Sequence, residues 1–364
     1  MTEPIAAPTP RGAHLVGSIN LDDAESVFRT AAEHLGPLLR RIPDGEVGER
    51  FHWIVFQADR VGAAAGIERV GEQPYIQRGI DFRPVRVADG VRAEDIQLPS
   101  LGCADAALES WAIFSKLQDE GVIAAATRFQ VSLPTPIGFV AALVAAEDRA
   151  AFEPVYEAAL AAELERIVDA IPHDRLAIQW DAALEFAILE ADRTDAPSPA
   201  WFTDEWAATS ERLARQLDRV PAGVEAGVHL CYGDVAEKHF VEPTDTANLV
   251  RFANLVREAT ARPITWLHLP VPIERDDTAY FAPLSELNLA EETELYLGLV
   301  HRQDGAEGAA RRVDAARAHV RDFGVATECG FGRAPEGTTV PLFEAHRAVS
   351  AAHADELSSQ FTPN

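Results

Sequence analysis

Eight short apolar runs recur along the chain, each separated from the next by a longer stretch with helical spacing. The runs are His14–Ser18, Leu39–Pro43, Arg128–Leu133, Leu176–Asp181, Gly227–Tyr232, Ile264–Leu269, Glu294–His301 and Val325–Gly330. Runs that are apolar throughout, and not at alternate positions, fit strands buried on both faces, as in parallel sheets covered by helices. Between them, Leu21–Leu35, Ala158–Ala170, Ser210–Leu217, Thr246–Ala259, Gly308–Phe323 and Pro341–His353 carry helical periodicity. In the first of these, Val27, Ala31 and Leu35 share a face, and Asp22, Asp23 and Glu25 sit at the positive N-terminal end. Eight such units in 364 residues predict an α/β fold, a (β/α)8 TIM barrel with loop insertions at its C-terminal mouth. An open doubly wound sheet is the alternative. No strand is followed by a GxGxxG or GxxxxGK[ST] loop to support it.

One domain, 1–364, with a core of about 13–355, accounts for the pattern. The extra length lies in an insertion at about 68–98, predicted to be a hairpin near the mouth, and in segments 233–245 and 270–289, predicted to act as lids. Against 58 Asp+Glu stand 32 Lys+Arg, a formal charge of −26. That balance repels phosphate backbones and anionic lipid, which excludes nucleic acid and membrane surfaces as expected partners. No apolar run reaches the length of a membrane helix, and the start of the chain does not read as a signal peptide. Three cysteines, Cys103, Cys231 and Cys329, do not make a disulfide framework and fit a cytoplasmic protein.

In a barrel, the C-terminal ends of the strands face the active-site mouth. Here they carry Ser18, Asp44 to Glu46, Asp181, His229, Cys231, His268, His301, Glu328 and Cys329. His229 and Cys231 stand two apart on one strand, so their side chains point the same way; strand eight adds Cys329. This mixed nitrogen and sulfur set suits Zn2+, which in catalytic sites keeps three protein ligands and an open position. Such a site suits activation of a second thiol as thiolate. Buried small cysteines and a core histidine are the plainer explanation of the same residues. Cys103 lies in a helical stretch away from the strand ends and is read as structural.

The segments HLCYGD (His229–Asp234) and TECGFGR (Thr327–Arg333) resemble the zinc-binding segments of cobalamin-independent methionine synthase. LVGS (Leu15–Ser18), DGEVGER (Asp44–Arg50) and AIQWDAAL (Ala177–Leu184) are similar to its substrate-binding segments, and YLGLVH (Tyr296–His301) to its seventh strand. SLPTPIGF (Ser132–Phe139) resembles a Gly-Pro-x-Thr segment shared with the uroporphyrinogen decarboxylase relatives. The matches run in the family's order from Leu15 to Arg333. The resemblance implies a TIM barrel binding Zn2+ through His229, Cys231 and Cys329. Ser18, Glu46 and Asp181 would hold the substrate, and Asp181 and His301 would act in catalysis.

It also implies transfer of a methyl or other alkyl group to a small-molecule thiol, from a folate, a corrinoid or a small electrophile. Two departures stand out. The family's strand-six glutamate ligand has no counterpart in ITWLHLPVP, where His268 is the nearest candidate for a fourth ligand. Its Asp-Glu-Pro is here Asp181-Ala182-Ala183. Two other readings compete: a metal-free lyase or decarboxylase on the same barrel, and a barrel that binds a small ligand without catalysis.

Overall fold

In the computed structural model, residues 10–77, 79–194, 198–233, 238–351 and 353 are described. Eight parallel strands form the barrel: β1 (Ala13–His14), β2 (Arg41–Pro43), β3 (Arg128–Pro134), β4 (Leu176–Ala182), β5 (Glu225–Leu230), β6 (Trp266–Pro270), β7 (Glu294–Val300) and β8 (Gly324–Thr327). Neighbours pair in parallel, in the order β1-β8-β7-β6-β5-β4-β3-β2. Isolated parallel bridges, Ala13 with Leu39 and Ser18 with Gly45, join the two ends. The predicted TIM barrel is the observed fold. All seven residues of β4 are buried, as expected of a strand covered on both faces.

Helices follow the strands. Ala24–Leu35 starts at Asp23, whose side chain accepts the Ser26 N–H. It buries Phe28 edge-on against Phe114 and Phe129. The longest, Arg149–Ala170, begins nine residues before the predicted Ala158. Helix Gly305–Ala316 ends well short of the predicted Phe323. Among the described residues, no helix is long and apolar enough to cross a membrane.

The insertion after β2 is a nested pair of hairpins. Ile67–Arg69 pairs antiparallel with Val85–Val87, and Ile76–Gln77 with Ile80–Asp81. Phe82 packs edge-on against His52 of the loop leaving β2. In the segment 270–289, Tyr280 and Phe281 are buried, and the Tyr280 hydroxyl donates to the Pro270 carbonyl. Of the segment 233–245, residues 234–237 lie outside the described residues, as do 352, 354 and 355 at the predicted end of the core.

At the N-terminal end of the barrel, opposite the mouth, Arg41 at the start of β2 is buried. Its guanidinium donates to Glu225 (2.6 Å) and Glu294 (2.8 Å), which begin β5 and β7. It also lies 4.1 Å from the Trp266 ring, a cation–π contact. The Trp266 ring lies flat over Gly227, where a Cβ would fall 2.0 Å from it, so only glycine admits the ring inside the barrel.

Candidate functional site

At the C-terminal ends of β5 and β8, His229, the last but one residue of β5, together with Cys231 and Cys329 just beyond the strands, brings a ring nitrogen and two sulfurs within 4.8 Å of one another. The sulfurs are 3.7 Å apart and not bonded to each other. Cys329 Sγ lies 3.7 Å from His229 Nε2. On a tetrahedral zinc, with Zn–S about 2.3 Å and Zn–N about 2.0 Å, the sulfurs sit about 3.8 Å apart and nitrogen and sulfur about 3.5 Å. The donor set therefore fits Zn2+ in type, and the two separations of 3.7 Å fit it in spacing. The Gly233 N–H donates to Cys231 Sγ at 3.3 Å.

Strand eight ends at Thr327, three residues before the predicted end, and the chain then turns. The Thr327 hydroxyl donates to the Cys329 carbonyl (2.7 Å). The Phe331 N–H donates to the Ser18 carbonyl (2.8 Å), and the Gly332 N–H to the Ser18 hydroxyl (3.3 Å). A Cβ at Gly330 would fall 2.3 Å from Ser18 Oγ, so the glycine lets the turn close onto Ser18. The structure thus sets Ser18 under the turn that presents Cys329.

His268 is buried behind His229. Its Nδ1 lies 2.7 Å from His229 Nδ1, and its Nε2 lies 3.0 Å from the Thr327 carbonyl. Both ring nitrogens are thereby engaged, and no nitrogen is left for a metal. The grouped donors are His229, Cys231 and Cys329, and His268 stands behind them against His229. Burial pushes His229 well below its ordinary pKa, and pushes His268 down to about 3.

Asp181, on β4, is buried and accepts hydrogen bonds from Gln179 Nε2 (2.9 Å) and from Trp53 Nε1 (3.2 Å). Burial, then the Glu46 carboxylate, push its pKa well up; the charge of Cys231 adds to this. Burial likewise raises Glu46, to about 7, against the pull of Arg50. Glu46 packs over Gly17, where a Cβ would lie 3.2 Å from Oε1. Both Glu46 (φ 50°) and Trp53 (φ 51°) hold left-handed backbone, strain that concentrates at working sites.

A group whose carboxyl pKa is raised on folding keeps its proton while the unfolded chain loses one, so stability falls as pH rises. For Glu46 the window runs from its ordinary 4.5 to about 7. Glu46→Gln is therefore expected to gain on wild type between pH 5 and pH 8, by on the order of 2 °C in melting temperature. Parallel thermal scans at the two pH values check this.

Beside Cys329 opens a cavity of about 210 Å³, lined among others by His239, Ile273, His301, Glu328 and Phe331. His301 donates from Nε2 to the Val271 carbonyl (2.9 Å), and burial lowers its pKa to about 4. His239 bridges Glu242 (2.9 Å) and Glu328 (3.1 Å). Burial opposes its charge, but the two carboxylates outweigh this and raise its pKa to about 10. The contact of His239 with Glu328 and that of Trp53 with Asp181 had no signal in sequence spacing, because the partners lie far apart along the chain.

No family model matches the chain, and no curated protein matches it. Solved structures do. A B12-independent methionine synthase from Shewanella sp. W3-18-1, in complex with selenomethionine, is 15% identical with a TM-score of 0.53, over 97% of this chain and 99% of that one. A protein assigned as a vitamin-B12-independent methionine synthase, from Listeria monocytogenes, is 14% identical with a TM-score of 0.54, over 94% and 97%. A methyltransferase from Methanosarcina mazei is 12% identical with a TM-score of 0.53, over 98% and 96%. At these identities the likeness is one of fold: the chain shares the barrel of methionine synthase-like and methyltransferase structures along nearly its whole length.

Proposed function

We propose that the chain is a zinc-dependent transferase, which activates a small-molecule thiol as thiolate for methyl or other alkyl transfer. The observation that carries this reading is the convergence of His229, Cys231 and Cys329 within 4.8 Å of one another at the barrel mouth, with Cys329 on the lining of a cavity. Bound there, Zn2+ supplies the Lewis acidity that lowers the pKa of a coordinated thiol. The three protein donors leave room for that thiol, as a catalytic zinc site does and a closed structural one does not.

Glu46 and Asp181 hold the polar end of the substrate. Without a ligand, these neighbouring acids lack a cation strong enough to ionise both. A substrate ammonium group provides it: its charge lowers both pKa values, and the pair gives up the proton it retains. Gln179 and Trp53 fix the Asp181 carboxyl for that contact. Near its pKa of about 4, His301 is neutral at pH 7 and offers the cavity a lone pair on Nδ1, serving to orient substrate and not to deliver a proton. The alkyl donor belongs to the folate, corrinoid or small-electrophile classes, and the free thiols suit the cytoplasm.

Support also comes from the structural neighbours: one is a methyltransferase, and the Shewanella protein was solved with selenomethionine, a methylated chalcogen amino acid. The metal-free decarboxylase reading asks for cations on Asp181. Its described hydrogen-bond partners are a glutamine and a tryptophan. The test is a screen of zinc-loaded protein against homocysteine, cysteine and 2-mercaptoethanol, each with methylated folate, methylcobalamin and an epoxide. Thiol alkylation by wild type, lost in Cys329→Ser, is the expected result. Zinc-loaded protein that consumes none of the thiols overturns the proposal.

A further inference from the structure

We propose that His268 is a positioning residue that decides which nitrogen of His229 carries the proton, leaving Nε2 of His229 bare and directed at the two thiols. The Thr327 carbonyl only accepts, so His268 Nε2, 3.0 Å away, carries a hydrogen. One proton then occupies the 2.7 Å contact between the two Nδ1 atoms. If it belonged to His268, that ring would be a buried cation. Neither ring has a carboxylate among its described hydrogen-bond partners to offset the charge. The proton therefore sits on His229 Nδ1, and the lone pair of His229 is on Nε2, the atom that lies 3.7 Å from Cys329 Sγ.

The opposite order would aim an N–H at the metal position. His268 thus does for His229 what a carboxylate or backbone carbonyl more often does for a metal-binding histidine. It does so with a neutral group, so the only protein anions in the donor set are the two thiolates. Thr327 joins two ligands in one device, because its carbonyl anchors His268 while its hydroxyl holds the turn carrying Cys329. Strands β5, β6 and β8 are tied together at one point.

This inference takes its functional sense from the proposed zinc site, but its proton arrangement belongs to the metal-free protein. The test has two arms. Nitrogen–proton correlation spectra of the metal-free wild type are expected to show His229 protonated at Nδ1 and bare at Nε2. His268→Gln should preserve this, since its Oε1 accepts from His229 and its amide donates to Thr327. His268→Leu should not. In chelator competition, His268→Leu is expected to bind zinc about 10- to 100-fold more weakly than wild type, and His268→Gln within about threefold.

A wild-type His229 protonated at Nε2 overturns the proposal. So does a His268→Leu variant with unchanged zinc affinity, or a zinc-bound His268 nitrogen. If the protein binds no zinc, the transferase reading falls while the imidazole spectra still decide this one. If zinc binds without thiol turnover, the affinity comparison decides it in the same way.

Discussion

Cys231→Ser and Cys329→Ser, each purified without added metal, are expected to carry far less than one zinc per chain. Cys103→Ser is expected to match wild type. The sulfurs of Cys231 and Cys329 stand 3.7 Å apart beside His229 Nε2. Removing either leaves a two-donor site with one thiolate, and a serine hydroxyl is not ionised near neutral pH to replace it. Apparent zinc-binding energies of about 10–16 kcal/mol for four-ligand sites imply about 3 kcal/mol per ligand. The predicted loss is a hundredfold or more in affinity. Cys103 has a different environment: it is buried, accepts from Gln57 Nε2 (3.4 Å), and its pKa is pushed up to about 12 by burial. Elemental analysis of the three variants separates metal thiolates from small buried side chains.

Arg41→Ala is expected to lower the stability of the barrel by about 2–4 kcal/mol. The guanidinium is buried between two carboxylates and the Trp266 face. Its loss leaves a void against the ring and two partly buried acids with fewer partners, Arg128 for Glu225 and, for Glu294, Arg40 and the Tyr296 hydroxyl. The pH dependence carries a sign. Burial works to raise the Glu294 pKa, and Arg41, helped by Arg40 and the Tyr296 hydroxyl, more than offsets it, so the folded value lies below the ordinary 4.5. That contribution to stability is present above pH 4.5 and is lost as pH falls through the lowered pKa. Denaturant titrations should therefore show the gap between wild type and Arg41→Ala widest near neutrality and narrowing in acid.

The barrel was legible because its strands bury both faces. A run such as Leu176–Asp181 opens on three apolar residues in succession and has its polar Gln179 and Asp181 only near the mouth, and six residues are too few for a typical helix. Helices without a clear stripe were harder. Pro136–Leu143 is apolar nearly all round, so periodicity carries no signal. Arg149–Ala170 contains Pro154 and buries Glu153, Glu157 and Glu163, whose arginine and backbone partners lie in other elements. Strand period made the convergence of His229 and Cys231 readable, and the glycine-rich turn after Thr327 completed it.

His268 shows where such reasoning stops. Its place late in β6 puts it at the same level as His229, its register partner, but only the two hydrogen bonds distinguish a ligand from the residue behind one. Likewise, the distance between Trp53 and Asp181 along the chain hid their contact until the barrel closed.

The most direct measurement is proton release on adding 2-mercaptoethanol to the zinc-loaded protein at pH 7. This thiol has no amine to bring a cation to Glu46 and Asp181, so it reports its own ionisation. Release of about one proton per site by wild type, and none by Cys329→Ser, is the predicted result. Zinc-loaded wild type that binds the thiol and releases no proton would contradict thiolate activation.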